Sequence, residues 1–202
     1  MRRGLVGLAG LIAGLALFSV TARAADIEGV RVEEQITPPG GQQLVLNGAG
    51  VRTKLAFMKL YVGALYLPEK RTNPEEIIKN AGAKRVLMHV LADELTAKEL
   101  IASLNNALAA NHIPAELALI ESRLRDLNRM MGTVGVLKKG NTVLLDYVPD
   151  TGTRITINGE EKIVIKGEDF FQAMLRIWIG NKPVDGGLRR AMLGDAGGFR
   201  LF

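Results

Sequence analysis

The chain has 202 residues, 48% of them hydrophobic and 23% charged, with no cysteine and a formal net charge of +5. This is the balance of one globular domain with a sizeable core, and it excludes a disulfide scaffold, a thiolate metal site and a cysteine nucleophile. The charge excess does not indicate nucleic acid, because it gathers at the amino terminus and no basic groove interleaved with aromatics follows.

Arg2 and Arg3 precede an uncharged apolar run from Gly4 to Val20, and Ala22-Arg23-Ala24 closes it. That order is the pattern of a cleavable export signal over residues 1–24, leaving 25–202 as a single domain, and it predicts a periplasmic protein. An uncleaved membrane anchor is the alternative, although the run is short for a bilayer span. Cleavage removes three of the 26 basic residues and none of the 21 acidic ones, so the net charge falls from +5 to +2.

Val30 to Ile36 reads as a strand, ended by Thr37-Pro38-Pro39-Gly40-Gly41. A second break is expected at Asn47-Gly48-Ala49-Gly50, where the glycines suggest a turn. From Phe57 to Leu67 two apolar faces alternate, which predicts a central strand covered on both sides. Phe57, Lys59, Tyr61, Gly63, Leu65 and Leu67 share one face. Pro74 starts a helix, and Lys84 to Leu91 is a strand.

Thr96 and Glu99 have capping-box spacing, so a helix with Leu100, Leu104 and Leu108 on one stripe is expected to run to Asn111 through Pro114. A second helix is expected over 115–137, with Gly140 as its stop. Three strands follow, at 142–148, 153–157 and 162–165, joined by turn sequences into a meander. An amphipathic helix over 170–178 and a short one over 187–193 complete the order. The class is α+β, with helices layered on an antiparallel sheet.

Catalytic motifs are few. His89 and His112 have no metal-ligand spacing, Ser19, Ser103 and Ser122 stand in no G-x-S-x-G elbow, and neither a metal nor a cofactor is expected. The unusual feature is a polar thread, Arg52, Lys54, Lys59 and Tyr61, along the most apolar strand. A guanidinium there must meet a carboxylate, reach water along its stem, or await an anionic ligand. The residues alone leave these alternatives open.

Gly48-Ala49-Gly50-Val51-Arg52, followed by the F-x-K-x-Y-x-x-x-x-Y-L pattern from Phe57 to Leu67, resembles the chalcone isomerase-like family. The block Gly167-Glu168-Asp169-Phe170 through Ile177-Trp178-Ile179-Gly180, with Leu193-Gly194 beyond it, is similar to that family's distal signature. The resemblance implies a large curved antiparallel sheet under helices, with a ligand cleft between the two layers. It also implies that Arg52 is the arginine with which the plant isomerases stabilise an anion. Their supporting polar positions fall on Tyr61, Leu95, a small residue at Ala102 or Ser103, and Phe171, so flavanone ring closure is not expected.

An arginine paired with a tyrosine instead resembles the fatty-acid-binding, non-catalytic branch, in which the two hold a carboxylate. The resemblance therefore implies a small apolar anion, such as a fatty acid, held by Arg52 and Tyr61. Strand alternation puts Lys59 on the Tyr61 face, where it is expected to share or replace that contact, the alternative being a solvated lysine at the strand edge. Phe57, Leu65, Met88, Leu100, Leu104, Phe171 and Leu175 are the expected walls, and Trp178 is assigned to the core. Transient membrane contact is the one further partner expected. Two other readings stay open: an isomerase of the intramolecular lyase type acting on another enone, and an interaction module with a vestigial cleft.

Overall fold

A computed structural model describes residues 24–195 except Ala56. The export signal expected over 1–24 therefore lies, but for Ala24, outside the described residues. The strands are β1 (Ala24–Ile27), β2 (Val30–Glu33), β3 (Gln35–Ile36), β4 (Leu44–Lys54), β5 (Met58–Leu67), β6 (Lys84–Val90), β7 (Glu94–Thr96), β8 (Val136–Lys138), β9 (Thr142–Val148), β10 (Gly152–Ile157) and β11 (Glu160–Ile165). The helices are α1 (Pro74–Lys79), α2 (Ala97–Asn111), α3 (Pro114–Val134), α4 (Glu168–Ile179) and α5 (Gly186–Met192).

Seven strands form one curved antiparallel sheet in the order β11-β10-β9-β6-β5-β4-β3. β5 lies inside it and separates two cores. On the helical side Tyr61, Leu65 and Leu67 pack with α2, α3, α4 and α5. On the other side Val62, Ala64 and Tyr66 pack with Ile27, Val30 and Val32 of the β1–β2 hairpin. A strand buried on both faces cannot spare a polar face, which is why its sequence is nearly continuous in apolar residues. The meander β9-β10-β11 turns at Asp150 (φ 62) and at Asn158 (φ 51) and Gly159 (φ 82), the residue types that tolerate left-handed backbone.

The helix starts follow local chemistry. Asn73 accepts from the amides of Glu75 and Glu76 ahead of α1. At α2 the Glu99 amide donates to Thr96 Oγ1 at 3.2 Å while the Thr96 amide donates to the Glu99 carboxylate at 3.1 Å, the predicted capping box. α4 buries eight residues, from Phe170 to Ile179, against the sheet and the other helices.

Three expectations are corrected. Residues 47–50 form no break: they run within β4, because α5 lies so close that the strand needs small residues there. A Cβ at Gly48 would collide with the Ala191 carbonyl oxygen, and one at Gly50 would stand 2.6 Å from Ala191 Cβ. The helix expected to reach 137 ends at Val134, where Gly135 takes φ 73, and Val136–Lys138 instead pairs with Glu94–Thr96. The strand expected over 30–36 divides in two. β2 leaves the main sheet to pair with β1, a strand that the sequence did not reveal.

Lys84 is 2% exposed, and its ammonium donates to the carbonyls of Asn80 and Gly82 just beyond α1, with the Tyr147 ring centroid 5.1 Å away. Burial lowers its pKa from 10.5 to about 8. Below pH 8 both folded and unfolded chains carry the proton and the burial penalty acts in full. Between pH 8 and 10.5 the folded chain has released a proton that the unfolded chain keeps, so stability rises with pH. Urea unfolding of the wild type is expected to show this rise between pH 8 and 10, and Lys84→Met to flatten it.

Candidate functional site

Arg52 of β4 and Tyr61 of β5 are direct partners across the ladder, so their side chains leave the same face of the sheet. That face is the helical one. The strand register shifts just beyond this pair, with Thr53 opposite Lys59. Leu60 is the extra residue of the bulge and joins the helical core, while the alternation that would have kept Lys59 beside Tyr61 is interrupted. The Lys59 ammonium lies 2.7 Å from the Glu28 carboxylate, at the surface and outside the cavity lining. The structure thus brings Arg52 and Tyr61 together and places Lys59 elsewhere.

Between the sheet and helices α2, α3 and α4 is a cavity of about 100 Å³. Its polar groups are Arg52, Tyr61, Ser103 and Trp178, and the remaining walls are apolar. Met88, Leu100 and Leu104 line it as expected. Leu65, Phe171 and Leu175 are buried in the core beside it, and Phe57 is 75% exposed at the hairpin tip. Four of the seven methionines, Met88, Met130, Met131 and Met174, face this space. Methionine is unbranched and changes rotamer readily, so walls of this kind adapt to what fills them.

The polar groups form a connected set. Arg52 Nη2 donates to Ser103 Oγ at 2.8 Å, and the guanidinium carbon lies 5.5 Å from the centre of the Tyr61 ring. Trp178 Nε1 donates to the Tyr61 hydroxyl at 2.9 Å. Arg52 Nε is buried without a hydrogen-bond partner, and among the described residues the guanidinium makes no ion pair with a carboxylate. Asp185, the nearby acid, instead accepts from the Thr53 amide at 2.8 Å and the Thr53 hydroxyl at 3.0 Å, and caps α5 through the Leu188 amide. Burial tends to raise its pKa, but these donors outweigh it and hold the carboxyl below its ordinary value.

Tyr61 is 1% exposed, and burial pushes its pKa up against the opposing pull of the Arg52 charge and the Trp178 hydrogen bond. It stays a neutral phenol at physiological pH. A hydroxyl has one hydrogen and two acceptor sites, and Trp178 occupies one acceptor site. The Tyr61 hydrogen is therefore left to donate, beside a guanidinium with an unfilled N–H. Two donors, one of them cationic, at the edge of an apolar space suit hydrogen-bond acceptors, and an anionic acceptor best of all.

Trp178 is a core residue by its sequence pattern. It is 4% exposed and packs there, but it also touches the cavity and orients Tyr61. No local pattern could have shown this, because its partner lies 117 positions away. The family pattern points to no more than a small residue at Ala102 or Ser103, and the structure places Ser103 against Arg52.

A family model described as chalcone isomerase-like matches residues 24–194. The crystal structure of a fatty-acid binding protein from Arabidopsis thaliana superposes with a TM-score of 0.57 at 15% sequence identity, over 81% of this chain and 97% of that one. No curated protein matches the sequence. The likeness to the plant structure is one of fold.

Proposed function

The chain belongs to the chalcone isomerase-like family, and from that premise we propose that it binds a small apolar anion, of the fatty-acid class, without chemical turnover. The observation that carries this reading is the Arg52 guanidinium, half-buried beside Tyr61 at an apolar cavity, with its Nε unpaired and no carboxylate of the described residues against it. A carboxylate supplies two acceptors in one plane and matches the guanidinium fork, and the Tyr61 hydroxyl adds a third bond. The acyl chain then gains roughly 0.8 kcal/mol for each methylene it buries. The cavity takes the inner part of such a chain as it stands, and the methionine side chains can yield space for more. The fatty-acid binding described for the plant protein of the same fold agrees with this class of ligand.

Catalysis of the isomerase type is not favoured by these groups. The position of one supporting hydroxyl is Phe171, 2% exposed in the core, and Leu95 is likewise buried. Hydroxychalcones are expected to close no faster with the protein than in buffer, as stopped-flow absorbance would show. The reading is tested by mass spectrometry of organic extracts of the purified protein and by titration calorimetry with a saturated fatty acid. An empty extract together with no heat of binding would overturn it. Export also belongs to the proposal, supported by the arginines and the apolar run ahead of Ala24; amino-terminal sequencing of the protein recovered from cells checks it.

Trp178 acts here as a positioning residue. Its indole N–H fixes which way the Tyr61 hydroxyl points, so Trp178→Phe is expected to weaken binding of a fatty acid roughly five- to tenfold, the worth of one misdirected hydrogen bond. Binding of the alcohol of equal chain length is expected to change much less. Equal losses for acid and alcohol would mean that the indole serves packing alone.

A further inference from the structure

The tip of the β4–β5 hairpin departs most from an ordinary protein surface. Lys54, Leu55, Phe57, Met58 and Lys59 stand there, and Leu55 is 70%, Phe57 75% and Met58 43% exposed. Leu55 has φ 54, a backbone state that glycine, asparagine or aspartate adopts with less strain. A leucine at that point satisfies neither the turn nor the core. Three large apolar side chains at one projecting end, between two lysines, call for an apolar partner with negative charge at its rim.

We propose that this tip is a membrane-contact element, which inserts Leu55, Phe57 and Met58 among the headgroups of an anionic bilayer with Lys54 and Lys59 at the level of the phosphates. Aromatic and aliphatic side chains favour that interfacial zone, and lysines flanking them add attraction to acidic lipids. Lys59 pairs in solution with Glu28, both partners partly exposed, and Lys54 lies near Glu99 in the first turn of α2. A second copy of the chain fits the tip less well, because tip-to-tip contact would set like-charged lysines around the apolar centre. The inference stands on the hairpin and holds whether or not the cavity takes a fatty acid. Where it does, the anion donors Arg52 and Tyr61 lie two residues behind each lysine, next to a lipid reservoir.

The chain has no cysteine, so Met58→Cys gives a single site for an environment-sensitive dye. Thr151→Cys, in the exposed β9–β10 turn at the opposite end of the sheet, is the control. With vesicles of phosphatidylcholine and phosphatidylglycerol, the dye at 58 is expected to shift to the blue and to be quenched by lipids brominated on their acyl chains. The dye at 151 is expected to do neither. Adding Leu55→Ser and Phe57→Ser is expected to raise the lipid concentration for half-response about tenfold, with an unchanged circular dichroism spectrum. Because the signal is local, attachment of the chain through residues 1–23 cannot imitate it. An unresponsive dye at 58, equal responses at both positions, or a shift that follows protein concentration without vesicles would overturn the proposal, the last in favour of self-association.

Discussion

Replacing Arg52 by methionine is expected to remove most of the affinity for a fatty acid while leaving the fold about as stable as before. The two halves of that result come from one fact, the buried and unpaired Nε. Hydrogen bonds to a charged group contribute about 1.5–3 kcal/mol each, so losing the guanidinium should weaken carboxylate binding about 100-fold. The folded protein without ligand loses the Ser103 hydrogen bond and the contact with the Tyr61 ring but is relieved of an unsatisfied donor, changes on the order of 1 kcal/mol that offset one another. Arg52→Lys should fall between, since it keeps the charge but not the fork. Calorimetry with an acid and its alcohol, alongside urea unfolding, separates the outcomes. An Arg52→Met protein that binds the acid normally, or unfolds far more easily, would show that the guanidinium is structural.

The largest loss of stability is expected for Gly48→Ala. The added methyl meets the backbone carbonyl of Ala191, which no rotamer change can move aside, and the Gly194 amide stands 3.1 Å away. Either β4 or α5 must shift, at a cost of about 3 kcal/mol, and the midpoint of thermal unfolding should fall about 10 °C. The damage should spread to the site, because Asp185 at the start of α5 grips Thr53, next to Arg52. Gly132→Ala in α3 is the control: its Cβ meets nothing within 4 Å, and a helix interior favours alanine, so a small gain is expected. Equal behaviour of the two variants would contradict the packing described here.

The parts of this fold that were legible in the sequence are those set by near neighbours. The Thr96–Glu99 box, the turn at Asn158-Gly159 and the two-sided apolar pattern of β5 all depend on residues a few positions apart. What escaped was set by distant partners. Glycine serves turns and close approaches equally, and nothing near Gly48 and Gly50 tells of Ala191. Three-residue strands such as β7 and β8 are too short to carry a period, so the pattern alone extends the helix through Leu137. Strict alternation put Lys59 beside Tyr61, and one bulged residue, Leu60, was enough to undo it. Arg52 and Tyr61 could be named from the family pattern, yet their convergence and the role of Trp178 required the assembled sheet.

With no thiol in the chain, the thioethers are its most readily oxidised groups, and most of them surround one small space. Conversion of Met130 or Met131 to the sulfoxide would place a strongly polar S=O dipole where an alkyl chain should lie. An occupied pocket would shield these sulfurs from peroxide, and an empty one would be chemically scarred and closed to its ligand until a reductase repaired it.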